Sequence, residues 1–239
     1  LILHSPMQKR GNLFVIEGTD ASGKETQTDR IVTRLKREGL AVSSFSFPRY
    51  DTPTGNIIKR YLGKGQYKQE FSPSNQVNAK LASVLYAMDL FVAAPEIRTA
   101  LEAGEQVFCN RYVESNMCHQ GGKIQDPQER AAFIDWLQEI EYGTFQLPKS
   151  DLVIFLYMLY EVAHKLRENR HENADGHESN PEHLLNAEST YLELAERFNW
   201  RHIDCAPDKT LGSLKTIDAI AEEVYSSIQN RIDIILKNR

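Results

Sequence analysis

Apolar residues recur along this chain in two rhythms. Short strand-like runs are NLFVIEG (12–18), LAVSSFSF (40–47), EQVFCN (105–110) and DLVIFLY (151–157), with WRHIDC (200–205) as a shorter fifth. The stretches between them repeat at helical spacing. The first follows Gly23, keeps Ile31, Val32 and Leu35 on one face and Arg30, Arg34 and Lys36 elsewhere, and stops at Gly39. Further helices are predicted over 73–101 with an interruption at Pro95, over 127–142, over 183–199, and over 213–230, where Ile217, Ile220, Val224 and Ile228 stay in register. RYDTPTG (49–55) is predicted as a loop. Strands alternating with helices predict an α/β fold, a five-stranded parallel sheet flanked by helices. The segment 167–182 is polar throughout and reads as a mobile excursion between two helices, while no repeat or linker divides the chain. The expectation is a flexible leader over 1–11 and a single domain over 12–239.

Composition narrows the function classes. The 239 residues are 41% hydrophobic and 26% charged, the balance of a soluble domain with a sizeable core. A net charge of −5 argues against a nucleic-acid or anionic-membrane binder, so an anion site has to be focal. Three cysteines without CxxC spacing and seven histidines without a zinc pattern predict a reduced, intracellular protein with no structural metal. The N-terminal apolar stretch is too short for a signal peptide, and no run approaches a membrane span of about 18 residues, so a cytoplasmic location is expected.

The first strand leads into chemistry. Gly18, Thr19, Asp20, Ala21, Ser22, Gly23 and Lys24 fit the phosphate-loop pattern of Gly, four residues, Gly and Lys, but Glu25, followed by Thr26, stands where a Ser or Thr normally touches Mg²⁺. Placement between a strand and a helix favours a phosphate loop over an incidental glycine turn. Its backbone N–H groups and the helix N-terminus would grip a β-phosphate, with the Lys24 ammonium reaching the β and γ oxygens. Phosphate binding alone fits a nucleotide kinase, a GTPase, an ATPase or a binding module equally.

Further stretches discriminate. FVIEGTDASGK, FPRY (47–50), LYAMD (85–89), NRYVESN (110–116) and LPKSDLVIFL (147–156) occur in an order and spacing that resembles the thymidylate kinases from about residue 12 to about residue 205. The resemblance implies a P-loop NTPase-type three-layer sandwich with a LID over about 165–182. It also implies transfer of the ATP γ-phosphoryl to dTMP with Mg²⁺, giving dTDP for dTTP synthesis, and a homodimer packed through the helices after strands two and three. Carried over residue by residue, it implies that Asp20 faces the monophosphate and that Arg49, with Phe47 in the same stretch, and Arg111 hold the acceptor side. By the same resemblance Tyr86 stacks on the base, Ser115 and Asn116 meet its edge through an amide that both donates and accepts, and His119 lies close to the sugar. Arg167 and Arg170 of the LID would join Lys24 and Arg111 in catalysis, since the loop centre itself carries no arginine.

Four positions depart from that pattern: Glu25, Asn110 for an aspartate, Leu90 for a base-binding arginine, and His119 for a tyrosine. Glu25 and Asn110 share an explanation if Glu25 restores the charge at Mg²⁺ that Asn110 removes, with Glu17 or a residue of 157–161 as further candidates. Leu90 gives up a charged hydrogen bond of about 1.5–3 kcal/mol, which loosens specificity for the base. The alternatives are a deoxynucleoside kinase, or a nucleotide-binding pseudokinase with impaired turnover.

Overall fold

The computed structural model describes residues 10–64, 67, 71, 74, 76–170 and 180–236, without the side chains of 169, 170, 230 and 233–236. The five strands are β1 (Leu13–Gly18), β2 (Val42–Ser46), β3 (Gln106–Asn110), β4 (Leu152–Tyr157) and β5 (Arg201–Asp204). All pairings are parallel, in the order β2-β3-β1-β4-β5. The central strand β1 is buried along its whole length, and its alternation feeds two cores: Leu13 and Val15 face one layer of helices, Phe14 and Ile16 the other. The first layer contains α3 (Ala79–Glu102), α4 (Val113–Gly121), α5 (Pro127–Gln138) and α7 (Pro181–Arg197), and the second contains α1 (Lys24–Arg37), α6 (Tyr160–Arg170) and α8 (Ile217–Leu236). Ile16 is level with Asn110 on β3 and Gly18 with Leu156 on β4, so the carboxyl ends of three strands open at one edge, where ligands collect in such sheets.

Several expectations need correction. The 49–55 stretch is not all loop, because α2 (Pro53–Tyr61) starts inside it, with Thr52 accepting the Gly55 N–H at 3.1 Å and Pro53 at the first position, where its missing N–H costs nothing. Helix α3 continues through Pro95, pinned on both sides by buried Ala93, Ala94, Ile97 and Leu101. The helix expected over 127–142 ends at Gln138 and passes into a π-helical turn, Glu139–Thr144. Helix α8 begins later and runs further than expected. Its buried stripe is Ile220, Val224, Ile228 and Ile232, while Ile217 is 51% exposed.

The polar excursion is helical as far as Arg170, and 171–179 lie outside the described residues. Of the expected leader, 1–9 lie outside them too. The Gly11 N–H donates to the Leu101 carbonyl at 2.8 Å, and a Cβ on Gly11 would collide with the Glu105 backbone.

Candidate active site

The phosphate loop is held by its own sequence. A Cβ on Gly18 would come within 2.5 Å of the Leu156 carbonyl, so β1 has to end in glycine to pass β4. Ala21 (φ 53°) and Gly23 (φ 83°) take left-handed conformations that fold the loop back. Gly23 caps α1 with no side-chain bond, leaving the first N–H groups of the helix for an anion. Thr19 Oγ1 donates to the Met158 carbonyl at 2.7 Å and accepts the Met158 N–H at 2.8 Å, clipping the loop to the end of β4. Ser22 Oγ donates to the Thr19 carbonyl at 2.8 Å. The buried Lys24 Nζ donates to the carbonyls of Gly18 (3.1 Å) and Thr19 (2.8 Å), while Thr26 lies on the exposed side of α1.

Beside the loop is a cleft of about 400 Å³, floored by the strand ends and walled by α3 and α4. Asp20, Glu25, Phe47, Tyr86, Arg111, Ser115, Asn116 and His119, dispersed in the sequence, all line it. Leu90 belongs to its wall, 3% exposed. The half-buried Tyr86 packs edge-on against Tyr61 with ring centres 6.1 Å apart.

Arg111 follows β3 in a left-handed conformation (φ 64°), its N–H donating to the Ile16 carbonyl at 3.1 Å. Its Nη1 lies 3.4 Å from both Ser115 Oγ and His119 Nε2. Burial works against the guanidinium charge, but the Tyr191 hydroxyl, Glu17 and Asp20 outweigh it and raise the arginine above its ordinary value.

Arg49 is placed differently, against α3 and outside the cleft lining. Its backbone N–H donates to Asp89 Oδ2 at 2.8 Å, and its guanidinium lies 3.6 Å from both Asp89 and Glu96.

Helix α6 reaches the phosphate loop. Arg167 Nη1 is 2.5 Å from Asp20 Oδ2, with both side chains mostly covered. The Arg170 side chain lies outside the described residues.

For the metal, Glu25 is exposed on the first turn of α1 and lines the cleft. Asn110 donates from Nδ2 to Ser46 Oγ at 3.0 Å, and its Oδ1 is buried with no hydrogen-bond partner among the described residues. No group of three or more metal-ligating side chains occurs among the described residues.

Glu17 is committed elsewhere. Fully buried, it accepts from the Tyr112 N–H (3.0 Å), Ser115 Oγ (2.8 Å) and Tyr191 Oη (2.9 Å), and so braces the turn that carries Arg111. The signal in the sequence is an acid closing an apolar strand, which has to find donors once buried.

Two residues were missed. Asp89, buried, fixes Arg49 and receives Thr54 Oγ1 at 2.8 Å. Gln120, also buried, lines the cleft with neither amide atom partnered among the described residues. It lies four residues after Asn116, on the same face of α4, and that spacing could have revealed it.

A sequence model of the thymidylate kinase family matches residues 16–211. The chain belongs to the thymidylate kinase family. Relatives in this family include a thymidylate kinase of Danio rerio, 25% identical with 95% of this chain and 93% of that one covered, and one of Homo sapiens, 27% identical with 90% and 89% covered. A thymidylate kinase of Caenorhabditis elegans is 32% identical over 65% of this chain and 67% of its own. Among solved structures, the thymidylate kinase of Candida albicans has the same fold, with a TM-score of 0.71 at 24% identity and 93% and 92% of the two chains covered. Among the described residues of the chain no helix is long and apolar enough to cross a membrane.

Proposed function

We propose that this chain transfers the γ-phosphoryl of ATP to dTMP, giving dTDP and ADP. The observation that carries the reading is the convergence of the phosphate loop, Arg111 and the LID arginine Arg167 on one edge of the sheet, beside a cleft with aromatic and amide side chains. The acceptor is itself an oxyanion, so no general base is needed, and catalysis reduces to placement and charge balance.

The N–H groups of residues 20–24 and the Lys24 ammonium hold the ATP phosphates. Arg111 draws the acceptor phosphate towards them, and Arg49, steered by Asp89, neutralises it from the α3 side. Arg167, already over the loop, meets the charge that develops on the transferred group, with Arg170 three residues further along the same helix. Tyr86 stacks on the base, Asn116 and Gln120 read its edge, and Phe47 and His119 close the remaining sides. Ser115, held by Glu17, supports Arg111.

The oxygen donors fit Mg²⁺, which keeps several waters and shares phosphate oxygens: Glu25 and the unpartnered Asn110 Oδ1 would hold it, directly or through water. When bound, the ion supplies charge neutralisation between the β- and γ-phosphates. A second copy of the chain is taken to pack on α3, a reading supported by the exposed Leu81, Phe91 and Val92 on that helix.

No observation favours a deoxynucleoside kinase or a chain without turnover. Incubation with ATP, Mg²⁺ and dTMP followed by nucleotide separation tests the reading. It requires dTDP and ADP in equal amounts, and ADP without dTDP would overturn it.

A further inference from the structure

The two amides facing the cleft from α4 differ in one respect. Gln120 has neither amide atom bonded among the described residues, so it can turn either its oxygen or its nitrogen to a ligand. Asn116 has no such freedom. Its Nδ2 donates to the Ser83 carbonyl on α3 at 3.0 Å and to Glu141 Oε1 at 2.9 Å, which uses both of its hydrogens. Its Oδ1, buried and without a hydrogen-bond partner among the described residues, is all it has left for a ligand. Turning the amide over would set Oδ1 against the Ser83 carbonyl, which cannot donate at any pH.

Glu141 reaches this position through a local departure from helical geometry. It lies in the π-helical turn Glu139–Thr144 and is fully buried, although its neighbour Glu139 is exposed. Such turns often occur at functional sites. Burial holds the Glu141 carboxyl well above the usual carboxylate range, with the Asn116 bond pulling it back. A neutral carboxyl still accepts through Oε1, so the clamp holds in either state.

We propose that Glu141 is a positioning residue for base selection: with the Ser83 carbonyl it holds Asn116 as an acceptor only, so that the cleft requires a pyrimidine with an N–H at ring position 3. The inference rests on dTMP as the acceptor. Thymine joined to its sugar has one N–H left, at N3, and an acceptor can bond it nowhere else. With the phosphate held at Arg111 and the ring against Tyr86, every pyrimidine presents the same ring position to Oδ1. Uracil offers N3–H there too, whereas cytosine offers a lone pair. Gln120, free to turn, discriminates between none of them, so the choice falls on the clamped amide.

The test compares dUMP with dCMP, which differ at positions 3 and 4 but both lack the methyl group, in the wild-type chain and in Glu141→Leu and Glu141→Gln. Kinetics with dTMP serve as the control that the acceptor reading holds. The wild type is expected to prefer dUMP in kcat/KM. Glu141→Leu lowers that preference by about two- to tenfold, the size of one neutral hydrogen bond, mainly through KM. Glu141→Gln, which keeps an acceptor at Oε1, retains it. If Glu141→Leu does not fold by thermal melt, Glu141→Asp, which withdraws the acceptor by one methylene, carries the same expectation. An unchanged preference in the variant despite dTMP turnover, or a wild type indifferent between dUMP and dCMP, would overturn the proposal. Absence of dTMP turnover in the wild type would instead overturn the proposed function.

Discussion

Arg167 on α6 and Asp20 in the phosphate loop form an ion pair, Nη1 to Oδ2 at 2.5 Å, that joins two segments 147 positions apart in sequence. The pair puts a guanidinium over a loop that has no arginine of its own. Arg167→Ala is therefore expected to lower kcat by about 10³-fold or more, the range of arginine fingers, with a smaller effect on the KM for dTMP. A loss of less than about tenfold in steady-state kinetics would remove Arg167 from the chemistry.

The magnesium hypothesis pairs Glu25 with Asn110. Glu25→Ala is expected to raise the half-saturating Mg²⁺ concentration, and adding Asn110→Asp should bring it back by returning a carboxylate to β3. Titration of the rate with Mg²⁺ decides the point. An unchanged half-saturation in Glu25→Ala means that this glutamate merely favours the helix N-terminus.

Tyr191 donates to Glu17 at 2.9 Å and stacks on Phe155 with ring centres 5.3 Å apart. Tyr191→Phe keeps the stack and deletes the donor, at an expected cost of about 1–2 kcal/mol and a fall in Tm of about 2–8 °C. Differential scanning calorimetry measures it.

Stability should fall as pH rises through the weakly acidic range. Burial, with Glu17 adding to it, pushes the Glu114 carboxyl up to about 7, and Glu141 is raised as well. Between the ordinary glutamate value of about 4.3 and about 7 the folded chain keeps protons that the unfolded chain gives up. The stabilisation is whole below that window and is lost as pH climbs through it. Urea midpoints at about pH 5 and about pH 7.5 should differ less in Glu114→Gln than in the wild type, because the amide has no proton to lose.

Much of the fold was legible because strands and helices in a doubly covered sheet have separate periods, and the Gly18 to Lys24 loop announces its own geometry. Errors fell where tertiary packing overrode a local signal. Pro95 did not stop α3, because buried alanines and Ile97 hold it against the core, and the π-helical turn at 139–144 has no periodic signature. In the site, Asp20, Glu25, Phe47, Tyr86, Arg111, Ser115, Asn116 and His119 line one cleft, whereas Arg49 turns to Asp89, a partner 40 positions away that no spacing rule connects to it. The Asn116 clamp was invisible for the same reason, since Ser83 and Glu141 come from two other elements.

The most direct test of the central claim compares dTMP with thymidine as acceptors in a coupled ADP-release assay with ATP and Mg²⁺. Arg111 at the cleft, with no carboxylate assigned as a base, predicts turnover with dTMP and none with thymidine. Turnover with thymidine but not with dTMP would contradict it.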